Sequence, residues 1–305
     1  MTGRKQPFRL PGALAALALL LGGGGLAAFN PLTPGGKGLL PAKRMLNPDR
    51  PLELLDLRLR CHRLDEVRRF YGETLELPLV RSGEDFLVFR VGTSRLRFDL
   101  AAPGQMPTYH FAIEVPENKV GRAADWLGAR VHLLAAQGEA PFVRFPQANS
   151  HSLYLLDPVG NHVEIVGHHG LPTARRGDFI PQDFLRISEV GLVVHSFPRV
   201  ANLMLDRLGL RRLPGPRTQR YGVFGDQQFT FVVVEKGLKW AGTDQPAMPY
   251  PIQAVLRGED GSLLIADMPF VLRLRKSKTS APEVAPTTAP ASGGEASQEE
   301  QVPPK

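Results

Sequence analysis

Between residues 52 and 275 the chain switches repeatedly between two hydrophobic spacings, and the switches come in a fixed order. LELLDLRLRC alternates apolar and polar positions, as a strand with one buried face does. DEVRRFYGETLEL then spaces its apolar residues three and four apart, which predicts an amphipathic helix. FLVFRVGTSRLRFDL returns to alternation. The same order recurs at EVGLVVHSFPRVANLMLDRLGL followed by YGVFGDQQFTFVVVE. Setting Asp56 against Glu189 aligns Phe70 with Leu203 and Leu75 with Leu208 without a gap. A third copy opens at His110 in YHFAIEVPENK, continues through the helix GRAADWLGA and closes in SLYLLDPVGNHVEIV. Self-similarity of this kind outranks any single local signal. After Trp240 the chain supplies further strands but no helix, a degenerate fourth copy with Asp260-Gly261 as its hairpin turn.

Three segments carry a family likeness. FYGETLELPL, YHFAIEV, and LYLLDPVGNHVEIV with its turn DPVGN resemble the vicinal oxygen chelate superfamily, which includes glyoxalases, extradiol dioxygenases and bleomycin-resistance proteins. The resemblance covers roughly Leu52–Gly258. It implies an α+β fold in which tandem βαβββ modules pair into cupped mixed β-sheets flanked by helices. The first module is expected over 52–104 and the second over 106–169, the two pairing as one unit of 52–170. A linker follows at 171–184, then a third module with the degenerate fourth over 185–275.

Composition changes the picture mainly at the ends. The net charge is +7, but residues 1–51 hold seven Lys/Arg against one Asp, and the tail from Lys276 holds three Lys against four Glu. Residues 52–275 therefore carry only +2, so no nucleic-acid partner is expected. The basic start MTGRKQPFR, the apolar run Leu10–Leu21 and the small residues that follow describe a secretory signal over 1–28, or an uncleaved membrane anchor, with 29–51 as linker. An extracytoplasmic protein is expected, touching a membrane only through that segment; a misassigned start codon would leave it cytoplasmic. The Pro/Ala-rich segment 276–305 reads as disordered. Cys61, the single cysteine, excludes an internal disulfide and lies on a leucine-rich strand face, which predicts a buried, inert thiol.

The candidate chemistry sits in the second copy. Period-two geometry places His110 on one face with Ala112 and Glu114, and Glu164 on one face with His162 and Val166. An imidazole and a carboxylate converging on one sheet face serve as metal ligands or as an acid/base pair. The family likeness implies ligands from the first and last strands of paired modules, which selects His110, Glu164 and, from the first module, Asp56. The metal so implied is Fe(II), Mn(II) or Zn(II). His151 is a candidate to complete the set and, with Tyr154, to act on a substrate; His162, His168 and His169 are weaker candidates. Glu189 takes the equivalent first-strand place in the third module, but Phe229 stands where its glutamate partner is sought, and Leu96 does so in the first. The C-terminal pair is therefore expected to be silent. The likeness implies extradiol-type ring cleavage of a small substrate with vicinal oxygens, with isomerase, lyase or other non-redox metal chemistry left open. The alternative is a metal-free module that sequesters a small molecule. A monomer or homodimer is expected.

Overall fold

The computed structural model describes residues 45–276, apart from 48, 135–141, 216–217, 259–260 and 266–267. The expected leader, linker and tail lie essentially outside these residues, as does Asp260 of the expected hairpin turn. Three modules follow the order the alternation predicted. The first comprises β1 (Leu54–Cys61), α1 (Leu64–Val67, continued as a π-helix through Arg68–Thr74), β2 (Leu79–Ser82), β3 (Phe86–Val91) and β4 (Ser94–Leu100). The second comprises β5 (His110–Glu114), α2 (Val120–Gly128), β6 (Val143–Phe145), β7 (Ser150–Leu156) and β8 (His162–His168). The third comprises β9 (Arg186–Val194), α3 (Phe197–Leu203, continued as a π-helix through Met204–Leu208), β10 (Arg211–Arg212), β11 (Tyr221–Gly225) and β12 (Thr230–Glu235). Three further strands, β13 (Ile252–Arg257), β14 (Gly261–Leu264) and β15 (Phe270–Arg275), close the described chain without a helix among them.

These strands form two curled mixed sheets. One runs β14-β15-β13-β1-β4-β3-β2 and the other β10-β11-β12-β9-β5-β8-β7-β6. The pairing is nested: β1 lies antiparallel to β13, and β5 lies antiparallel to β9. The first module thus joins the C-terminal strands and the second joins the third, which corrects the expected pairing of first with second. The connection after β8 returns the chain along β5, where Leu185 N donates to Glu114 O at 2.8 Å. The edge of β5 that the first module was expected to cover is therefore taken by β9.

One face of each sheet builds the shared core. Leu57, Leu59 and Cys61 of β1, Phe111 and Ile113 of β5, and Val190 and Leu192 of β9 are buried in one cluster with α1, α2 and α3. A buried ion pair ties α2 to the connection before β9: Lys119 Nζ donates to Asp183 Oδ2 at 2.7 Å and to Asp178 O at 2.8 Å. Cys61 is fully buried, and desolvation pushes its thiol up to about 12.

Candidate metal centre

Two strand rows of the eight-stranded sheet build the site. The first crosses Tyr154 on β7, Glu164 on β8, Ala112 on β5, Glu189 on β9 and Thr230 on β12. Paired residues on adjacent strands project from the same face. The methyl of Ala112 thus lies between two glutamates and leaves room for their carboxylates to converge. The neighbouring row contains Leu156, His162 and His110. Gly191 sits beside His110, and a Cβ there would lie 3.0 Å from His110 Cβ and 2.8 Å from Trp240. The absence of that side chain lets the indole close over the imidazole.

The turn DPVGN sets the height of the second row. Asp157 Oδ1 accepts from Val159 N and Asn161 N at 3.1 and 2.7 Å, and Gly160 takes φ +86°. Asn161 Oδ1 in turn accepts from Tyr109 N at 2.9 Å, fixing the residue before His110. Tyr71 OH donates to Asp157 at 2.7 Å, which joins this turn to the first module.

His110 Nε2 lies 2.8 Å from Glu189 Oε1 and 3.6 Å from Glu164 Oε2. One ligand atom from each of the three residues falls within 4.8 Å of the others, the one such group of three among the described residues. The hydrogen bonds around it assign the tautomers. His162 Nε2–H donates to Ala241 O at 2.8 Å, so its Nδ1 is bare and faces His110 Nδ1 at 2.9 Å. His110 Nδ1–H therefore donates to that nitrogen and to His162 O at 3.0 Å, leaving Nε2 for the carboxylates or a cation. Thr230 Oγ1 donates to Glu189 Oε2 at 2.9 Å and orients it. Trp240 packs on His110 with ring centroids 4.8 Å apart, and Tyr154 stacks on His162 at 5.0 Å.

The electrostatics are those of an anionic pocket. Burial drives the Glu164 carboxyl up to about 7, with Glu189 adding to it. Burial pulls the His110 imidazole down, but Glu189 and Glu164 outweigh it and hold it above its ordinary range. His162 goes the other way, to about 3, through burial and then the charge of His110. Two carboxylates facing one imidazole nitrogen require a proton or a cation between them. The donors are nitrogen and oxygen, which suit a divalent first-row metal, and the spread to be spanned is close to twice a metal–ligand distance of about 2.1 Å. Ser188 Oγ, beside Glu189 at a β-bulge, is buried with no hydrogen-bond partner. Buried hydroxyls of that kind mark places where a water or ligand oxygen fits.

Of the residues selected from sequence, His110, Glu164 and Tyr154 meet here. Asp56 does not: it lies on the other sheet, 2.6 Å from Arg95. His151 contacts His169 and Phe142 on the opposite face of β7. His168 Nδ1 lies 2.8 Å from Glu114 Oε2, further along the cup face, and His169 reaches Glu117 at 3.8 Å. Glu189, expected to be silent, takes the place given to Asp56. Its alignment with Asp56 was the available signal; the search for a partner at Phe229 obscured it. The register puts Val232, not Phe229, in the place that Glu164 occupies relative to His110. Likewise Arg97, not Leu96, holds that place in the first module. Trp240 and Ala241 come from a loop whose sequence has no periodicity to place it.

No family model matches the chain, and no curated protein matches it. Solved structures do. A protein from Bacillus subtilis subsp. subtilis str. 168, provisionally named a dioxygenase, superposes with a TM-score of 0.50 at 16% identity, covering 76% of this chain and 86% of that one. A glyoxalase I mutant from Zea mays gives 0.47 at 14% identity, over 73% and 94%. Lactoylglutathione lyase from Agrobacterium tumefaciens gives 0.30 at 20% identity, over 37% of this chain and 91% of that one. The sheet topology and the first of these likenesses agree: the chain has the vicinal oxygen chelate fold.

Proposed function

We propose that the chain binds a divalent metal through His110, Glu164 and Glu189 and uses it on a small substrate with two neighbouring oxygens. The convergence of those three ligand atoms within 4.8 Å carries the reading. Bound there, the metal would supply Lewis acidity toward the substrate oxygens. Three protein ligands leave coordination positions open. The donor set of one imidazole and two carboxylates differs from the two-histidine, one-carboxylate set of non-haem iron oxygenases, which favours proton transfer or addition–elimination over the ring cleavage expected from sequence.

The chain's own residues then have separate tasks. Without a cation, burial and then Glu189 favour the protonated Glu164 carboxyl, so metal binding there would release a proton. Tyr154, opposite Glu164 and stacked on His162, walls one side, and Trp240 excludes water from the other.

Elemental mass spectrometry of the purified full chain tests this reading beside His110→Ala and Glu189→Ala. Near-stoichiometric metal in the wild type and its loss in both variants is the expected result. A wild type that stays empty after anaerobic reconstitution with Fe(II), Mn(II) and Zn(II) would return the protein to the metal-free, sequestering alternative.

A further inference from the structure

The seven-stranded sheet has the same layout as the metal-bearing one, and its solvent-facing side carries the opposite charge. The equivalence follows from register. In the metal cup, Ala112 pairs with Glu189, and Glu164 lies beside Ala112. In the other sheet Arg58 pairs with Gln253, and Arg97 lies beside Arg58. Asp56 and Gln253 thus stand where His110 and Glu189 stand. Arg97 replaces Glu164, and Arg273, paired with Val255, replaces Val232. Guanidinium groups hold both last-strand positions, so this face repels the cation its counterpart suits.

Arginines extend well beyond those positions. One row across the sheet reads Arg273, Val255, Asp56, Arg95, Arg90 from β15 to β3. The next reads Val271, Gln253, Arg58, Arg97, Val88, Arg81 from β15 to β2. Asp56 answers Arg95, and Asp99 answers both Arg58 and Arg97. Arg60, Arg90, Arg273 and Arg275 are exposed and have no acidic partner among the described residues. Arg273 and Arg90 lie four strand spacings apart, about 19 Å, which is too wide for one small anion. The charge is not edge protection either, because β15, β13, β1, β4 and β3 are interior strands.

One edge carries something different. Leu264 on the edge strand β14 is 69% exposed and pairs with Val271, so a large apolar side chain flanks the arginine field on its own face. Arginine is suited to bidentate contact with phosphate, and apolar residues beside it are suited to the acyl boundary. A second copy of this chain would set arginine against arginine. A single-stranded nucleic acid would need a stacking platform, but Phe86, the aromatic residue on this face of β3, is covered by Arg97 at 4.1 Å. We infer that the arginine-bearing face of the seven-stranded sheet docks on an anionic phospholipid surface, with arginines on lipid phosphates and Leu264 at the acyl boundary.

Vesicle co-sedimentation of the full chain tests this. The vesicles are phosphatidylcholine alone and phosphatidylcholine mixed with phosphatidylglycerol, each at low and high salt. The N-terminal segment is common to every variant, so the arginine dependence isolates the sheet. The triple variant Arg90→Gln, Arg273→Gln, Arg275→Gln should lose phosphatidylglycerol-dependent partitioning by on the order of a hundredfold, as expected for three basic residues at an anionic leaflet. Arg68→Gln, Arg176→Gln, Arg211→Gln removes the same charge elsewhere and should retain most of it. Leu264→Ser should weaken binding at high salt, where screening leaves the apolar contribution. Equal losses in the two triple variants would reduce the effect to net charge and overturn the inference, as would a wild type indifferent to phosphatidylglycerol. An oligonucleotide held more tightly than the vesicles, with the same arginine dependence, would reassign the face to nucleic acid.

Discussion

Glu164→Gln should stabilise the metal-stripped protein and at the same time remove its response to metal. Glu164 is 8% exposed, and its carboxyl is driven up to about 7, first by burial and then by Glu189. An unfolded glutamate ionises near 4.3. The native state therefore holds the extra proton between those values, and stability falls as pH rises through them. Below the unfolded value the charge costs nothing; above about 7 the full cost is present. At about 1.4 kcal/mol per pH unit it reaches at most about 4 kcal/mol. Glutamine keeps the shape and removes the charge. With chelator present, the variant should gain up to that amount at pH 8 and little near pH 4.5, read by urea unfolding. Metal at a hundredfold excess over its Kd should stabilise the wild type by about 2.7 kcal/mol, or roughly 5–10 °C in Tm at this size. The variant should gain almost none of it, so adding metal closes the gap between the two proteins by about that amount. A Glu164→Gln protein that is weaker than wild type in chelator at pH 8, or equally stabilised by metal, would refute the account of the site.

Two other perturbations test the scaffold. Lys119→Met strands the buried carboxylate of Asp183 and should cost about 3–5 kcal/mol in urea unfolding; a loss below about 1 kcal/mol would mean that Arg175, 3.3 Å from Asp183, already satisfies it. Cys61 should be silent to a thiol reagent at pH 8 in the native state and react fully in denaturant, because desolvation holds its thiol near 12; labelling of the folded protein at the rate of a free thiol would contradict its burial.

What was legible in the sequence was the content of each module. Alternation in LDLRLRC and the turn DPVGN determine a strand and a hairpin from neighbours alone, and both form as predicted. The facing of His110 and Glu164 follows from the same period of two. Partner choice did not, because β1, β5 and β9 each present an apolar face and each can accept an antiparallel neighbour. That choice depends on how connections such as the one through Leu185 run in space. The cap is hidden for a related reason. Trp240 and Ala241 approach the histidines from a loop whose position depends on Gly191, a residue with no chemical signal of its own.

The identity of the third ligand therefore belongs to topology rather than to any local motif. Asp56 and Glu189 occupy the same place in their own modules, and either could have been brought across from Ala112. Had β1 lain beside β5, an aspartate one methylene shorter would have faced His110 and Glu164. Nested pairing brings Glu189 instead, oriented by Thr230 at 2.9 Å, and leaves Asp56 to Arg95 at 2.6 Å. The same choice gathers three acid or imidazole donors on one sheet and concentrates guanidinium groups on the other. One fold thus offers a cation-seeking face and an anion-seeking face from related modules, and the chemistry of each is decided by which first strands meet.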